Sequence, residues 1–147
     1  MILLDAFRPD SWNVPLFLHI AGAAVFVGAL TLGTVAQLTA TKAAEPQLLQ
    51  RVAFRTLLIV GLPAYVIFRI GAEWLISKEP DDFDPTWVGI GFLVSDIGAI
   101  VFLISLILAG IASRTSKTGL GKASGVLAAL VLVGFVVAAW AMGAKPD

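Results

Sequence analysis

Apolar residues run along this chain in long unbroken stretches rather than in alternation. No charged residue occurs between Asp10 and Lys42, and the run from Val14 to Ala40 exceeds the ~20 residues that cross ~30 Å of hydrocarbon. Thr56 to Ser77 is interrupted by Arg69 and Glu73, Pro85 to Ser113 holds only Asp96, and Ala123 to Ala144 carries no charge. Runs of this length predict helices rather than barrel strands, because lipid leaves no backbone polar group unpaired. The pattern predicts an all-α integral membrane protein: one domain, residues 1–147, folded as an up-down-up-down four-helix bundle. Its spans are expected at about 14–40, 56–77, 87–113 and 123–144.

The segments between the spans predict an orientation. Lys42, Arg51 and Arg55 lie in the first loop and Arg114, Lys117 and Lys122 in the third. Only Arg8, Lys78 and Lys145 fall in the N-terminus, second loop and C-terminus. Basic residues favour the cytoplasmic side, so both termini are expected outside. Trp12, Trp74, Trp87 and Trp140 all fall at ends assigned to the outer interface, where indoles prefer to sit. The first span is too long for a signal h-region and is followed by three more, so it is read as a retained span. With no transit-type segment in view, the expected home is a prokaryotic cytoplasmic membrane.

Local signals refine the picture. Pro46 suits a helix start, so the second helix is expected to begin there, ahead of its apolar run. Gly61-Leu62-Pro63 predicts a kink within that helix. Small residues recur four apart in Gly121/Gly125/Ala129, Gly134/Ala138, Ala24/Gly28 and Ala29/Gly33. This spacing lets helix backbones approach closely, either within the bundle or across a homodimer. No internal repeat or low-complexity tract appears.

Composition agrees with a membrane class and removes several functions. Hydrophobic residues are 59% of the 147 and charged residues 14%, against the 45–50% and about 25% usual for soluble domains. Ten basic and ten acidic residues cancel, leaving no basic field for nucleic acid. Absence of cysteine excludes disulfides, thiolate metal sites and thiol catalysis. No HExxH, P-loop, GxSxG or dinucleotide fingerprint is present. One histidine without cysteine makes no structural zinc site.

Candidate chemistry rests on the ionisable residues inside the spans: His19, Arg69, Glu73 and Asp96. A charge at bilayer depth costs roughly 2.5–3.5 kcal/mol, so each needs a partner, water or a duty. At about 1.5 Å per residue, His19 lies ~8 Å in from Val14, Glu73 ~6 Å and Arg69 ~12 Å from Ser77, and Asp96 ~14 Å from Trp87. All four are therefore expected in one leaflet half, on three helices. Tyr65, Arg69 and Glu73 share a face four residues apart, so Arg69 is expected to pair with Glu73 along its helix and with Asp96 across to the third. The guanidinium fork suits two carboxylates. Gln37 and Tyr65 are secondary candidates, and Ser95 and Ser105 can satisfy themselves on nearby carbonyls. The set is either a lock that fixes helix register or a site for a ligand, a cofactor or a proton.

The opening of the first span, LFLHIAGAAVFVGAL, resembles the first helix of a family of small bacterial predicted integral membrane proteins of unknown function. It is also similar, more distantly, to the copper-resistance protein D family and to the four-helix haem-binding oxidase of porphyrin synthesis. The shared feature is an Leu-His pair followed about nine residues later by glycine, here Leu18-His19 and Gly28. The resemblance covers about 25 residues and the four-span plan. It implies His19 as an axial haem ligand. The haem-binding relative has a lysine in its third helix where this chain offers Asp96, and the chain lacks the further His, Met and Cys that copper handling would use.

These readings converge on a non-enzymatic membrane protein. A polar intramembrane pocket in its outer half, built from His19, Arg69, Glu73 and Asp96 with Tyr65 nearby, is expected to bind haem, a metal or a small ligand. A small proton- or ion-coupled transporter, with Glu73 or Asp96 as carrier, is the first alternative. A structural accessory subunit is the second, its partner a membrane complex or a second copy.

Overall fold

The computed structural model describes residues 10–145. Among them the structure is helical throughout and no strand occurs. A 3₁₀ turn, Asp10–Trp12, leads into α1 (Asn13–Ala40). Then α2 (Pro46–Arg55), a π-helical stretch (Thr56–Gly61) and α3 (Leu62–Ile76) follow without a break. The last two helices are α4 (Thr86–Thr115) and α5 (Thr118–Ala144). Four continuous helical segments among the described residues are long and apolar enough to cross a membrane: Asp10–Ala40, Pro46–Ile76, Thr86–Thr115 and Thr118–Ala144.

The second segment starts at Pro46, ahead of its apolar run. Pro46 supplies a preset φ at the first turn, and α2 turns Gln50 and Ala53 inward. The disturbance expected at Gly61-Leu62-Pro63 takes the form of a π-helical widening. Pro63 has no N–H for the carbonyl of Ile59, and its ring crowds that turn. The Leu62 N–H bonds the Leu57 carbonyl instead, five residues back. α4 and α5 likewise run past their expected limits and are joined by only Ser116 and Lys117. Ser116 makes the reversal in the left-handed region, φ 54°.

Glycine decides how the helices meet. A Cβ on Gly22 of α1 would lie 2.5 Å from the Phe68 amide nitrogen of α3, and one on Gly71 of α3 would lie 2.4 Å from the His19 amide nitrogen of α1. The two helices therefore cross with backbones in contact, each glycine receiving the backbone of the other helix. Gly121 and Gly125 of α5 pack on Gln37 and Leu38 of α1, and Gly134 on Val94 of α4. These rows serve packing within the bundle, whereas Ala24 and Gly28 face outward. α4 also packs on α5 and on α2, but its backbone hardly approaches α3. The bundle is thus closed at the α2 end and parted between α3 and α4 at the other.

The core is an aromatic layer across the middle of the bundle. Phe26, fully buried, meets Phe102 and Phe135 edge-on at centroid distances of 5.0 and 5.1 Å. Phe68 lies 5.3 Å from Phe135, and Tyr65 lies 5.4 Å from Phe26. The exterior is apolar too: Phe17, Ile59, Ile100 and Val133 are exposed. Helices apolar on all sides belong in a large core or in lipid.

Candidate functional site

His19 is held by its backbone first. Gly71 lets α3 ride directly over the His19 peptide, so the imidazole emerges at a fixed height above the aromatic layer. Its ring lies 4.8 Å from the Phe68 ring, tilted by 32°. Its Nδ1 is buried and makes no hydrogen bond among the described residues.

His19 faces a cavity of about 230 Å³. The gap between α3 and α4 creates it, and α1, α3, α4 and the end of α5 supply its wall. Phe68 and Phe92 line its sides, and Trp12, Phe83 and Trp87 also line it. Phe83 comes from the loop between α3 and α4, where its N–H bonds the Pro80 carbonyl at 2.9 Å and its ring meets Trp87 edge-on at 6.1 Å. Gly91 leaves room for Met142 from α5. His19, Ser95 and Glu79 are the polar side chains in this otherwise apolar wall.

Beside the cavity lies a second polar group, on the α3–α4 seam. Arg69 Nη2 is 2.8 Å from Glu73 Oε1, and Nη1 is 2.7 Å from Asp96 Oδ1. Both ion pairs expected from the spacing are present. Arg69 also donates to Ser95 Oγ, and its guanidinium lies 4.8 Å from the Phe92 ring centroid. Tyr65 OH donates to the Ser95 carbonyl at 3.1 Å, and Ser95 Oγ donates to the Phe92 carbonyl at 3.1 Å. Side-chain links thus bridge the seam where the backbones of α3 and α4 stay apart. The Arg69 side chain is 25% exposed, but Glu73 and Asp96 are 54% and 61% exposed on the outside of the bundle.

The four ionisable groups therefore form two sites rather than one. Arg69, Glu73 and Asp96 share a network with Tyr65 and Ser95, whereas His19 lies in the cavity wall and has no contact with their charges. Ser95 belongs to both, since it lines the cavity and holds Arg69.

Further buried polar groups lie elsewhere. Ser105 does more than satisfy itself locally: its Oγ donates to the Ser124 carbonyl at 2.9 Å, and Ser124 Oγ donates to the Ser105 carbonyl at 2.8 Å. This reciprocal clasp joins α4 to α5. At the far end of the bundle Gln37 and Gln50 are fully buried with no hydrogen bond on either amide among the described residues. Both approach Gly121, where a Cβ would lie 2.6 Å from Gln37 Oε1 and 2.8 Å from Gln50 Nε2. Gln50 lies in a polar stretch before the predicted span, so its sequence context does not mark it as interior.

The haem implied by the resemblance does not fit this geometry. An apolar cavity on the order of 150 Å³ takes one benzene ring, so about 230 Å³ takes a small ring system and not a four-ring macrocycle. No group of three or more His, Asp or Glu able to hold a metal ion occurs among the described residues, and Arg69 occupies the two intraspan carboxylates. No protein-family model matches the chain, and neither a curated protein nor a solved structure matches it.

Proposed function

We propose that this chain is a non-enzymatic integral membrane protein that takes a small, largely apolar ligand into the cavity beside His19. The observation that carries the reading is that cavity: about 230 Å³ with aromatic walls and with His19 in its lining. Apolar enclosure supplies affinity, and a few placed polar groups set orientation. The polar side chains in the lining here are His19, Ser95 and Glu79. Arg69, Glu73 and Asp96 hold the seam that forms one wall, as positioning residues.

The setting is an up-down-up-down bundle in a prokaryotic cytoplasmic membrane, with both termini outside. The apolar exterior supports insertion. Lys42, Arg51, Arg55, Arg114, Lys117 and Lys122 fall at the connections opposite the cavity, which supports a cytoplasmic assignment for that end. The cavity then opens in the outer leaflet half, within the belt of Trp12, Trp74, Trp87 and Trp140. The Leu-His and glycine spacing of α1 keeps the small bacterial membrane family as part of this reading.

The test is binding of neopentylbenzene to the purified protein in neutral detergent, followed by tryptophan fluorescence. Trp12 and Trp87 line the cavity, so occupancy is expected to give a saturable change. Ala72→Phe, which fills the space from α3, is expected to abolish it without unfolding the helices. Binding that survives Ala72→Phe unchanged, or no binding at all, overturns the reading.

A further inference from the structure

The wall of this cavity is apolar, but the charges around it are mostly negative. Glu79 lines it, half-buried, with no ion pair or hydrogen bond on its carboxylate among the described residues. Asp81, Asp82 and Asp84 follow in the same loop, exposed, and Asp10 sits at the start of the turn that carries Trp12. On the adjoining seam one Arg69 serves two carboxylates, Glu73 and Asp96, leaving one negative charge in excess. Against these seven acids, the described residues at this end offer only Arg69, Lys78 and Lys145 as bases. The excess at this end is negative, and a low-dielectric hollow concentrates that potential at its mouth.

Aromatic faces in the same wall select for the same class of ligand, a cation. Trp12, Phe68, Phe83, Trp87 and Phe92 surround the space, and a ring face attracts a cation within about 6 Å of its centroid. Two cations already use these rings from outside. The Lys145 ammonium lies 5.7 Å from the Trp87 centroid, and the Arg69 guanidinium lies 4.8 Å from that of Phe92. An anionic ligand would meet Glu79 directly, and a neutral one would leave that carboxylate without a partner.

We infer that the ligand of this cavity is an amphiphilic cation, with a single ring or short chain as its apolar body and an ammonium at the Glu79 end. This rests on the cavity reading above and narrows it to a substrate class. The body lies against Phe68 and His19 on the floor, and the ammonium meets Glu79 and the aromatic rings near the loop. A volume of about 230 Å³ favours a freely diffusing amine over a two-chain lipid.

The probes are benzyltrimethylammonium and neopentylbenzene, which share shape and differ in charge. Each is titrated into the intact purified protein in neutral detergent with tryptophan fluorescence as readout. The cation is expected to bind at least about tenfold more tightly, a ratio that a single partly desolvated cation–π contact is enough to give. Added salt is expected to weaken the cation and leave the neutral probe unchanged. Glu79→Gln, in the loop beyond α3, is expected to remove most of the preference while neopentylbenzene binds as before. Equal affinity of the two probes, or a preference that survives Glu79→Gln, overturns the cation assignment and leaves the cavity reading standing. Failure of both probes to bind overturns the cavity reading itself. Displacement of the cation by short-chain phosphocholine, with no response to the free amine, overturns the diffusible-amine assignment in favour of a lipid headgroup.

Discussion

The amide nitrogen of His19 lies against Gly71, so close that a Cβ there would come within 2.4 Å of it. The atom in the way is backbone, which cannot rotate aside. Any side chain at position 71 pushes α1 and α3 apart and moves the floor of the cavity with them.

Gly71→Ala is therefore expected to destabilise the protein by about 3 kcal/mol, at the upper end for overpacking. Gly28→Ala is the control, because a Cβ at Gly28 meets nothing within 4 Å. Replacing that helical glycine is expected to be neutral or to stabilise by up to about 1 kcal/mol. Thermal unfolding in detergent, followed by circular dichroism, distinguishes the two. Equal melting temperatures for both variants would show that the α1–α3 crossing is looser than described.

Arg69 is expected to matter more than either of its acidic partners. Arg69→Ala leaves Glu73 and Asp96 without a counter-charge and frees Ser95, at a cost of about 3 kcal/mol, because the exposed sides of both carboxylates face lipid rather than water in a membrane-inserted bundle. Asp96→Asn keeps a hydrogen-bond acceptor for Arg69 and is expected to cost less than about 1 kcal/mol. Denaturant titration of the two variants checks the order. A larger loss in Asp96→Asn would contradict Arg69 as the centre of the seam.

The buried glutamines make no hydrogen bond on either amide among the described residues, so neither holds the other. Gln37→Leu and Gln50→Leu are each expected to be neutral or to stabilise, because each removes a buried polar group that has no partner among those residues. A double-mutant cycle on melting stability is expected to show additive effects. A loss of more than about 1 kcal/mol in either single variant would show that its amide is satisfied after all.

Haem is expected to leave the protein unchanged. Adding it to the purified chain, oxidised or reduced, should produce only the absorption of free or detergent-bound haem, and His19→Ala should make no difference. A Soret band that sharpens on reduction and vanishes in His19→Ala would mean that the cavity expands well beyond about 230 Å³.

Four long apolar helices and the pairing of Arg69 with Glu73 and Asp96 were legible in the chain. Each depends on one-dimensional quantities: the length of charge-free runs, the four-residue repeat of a helix face, and depth counted from the span ends. The Pro63 disturbance was legible for the same reason, since a missing N–H acts within its own turn, although its π-helical form was not. Tertiary structure decided the rest. Whether His19 joins the charges or faces a cavity depends on the rotation of α1 about its axis, set by Gly22 and Gly71 meeting the opposing backbones. Gln50 and Glu79 went unread as site residues because polar side chains near span ends have the same local sequence whether they turn inward or outward. The cavity arises because α3 and α4 touch through side chains rather than backbone, a property of the assembled bundle that no single helix carries.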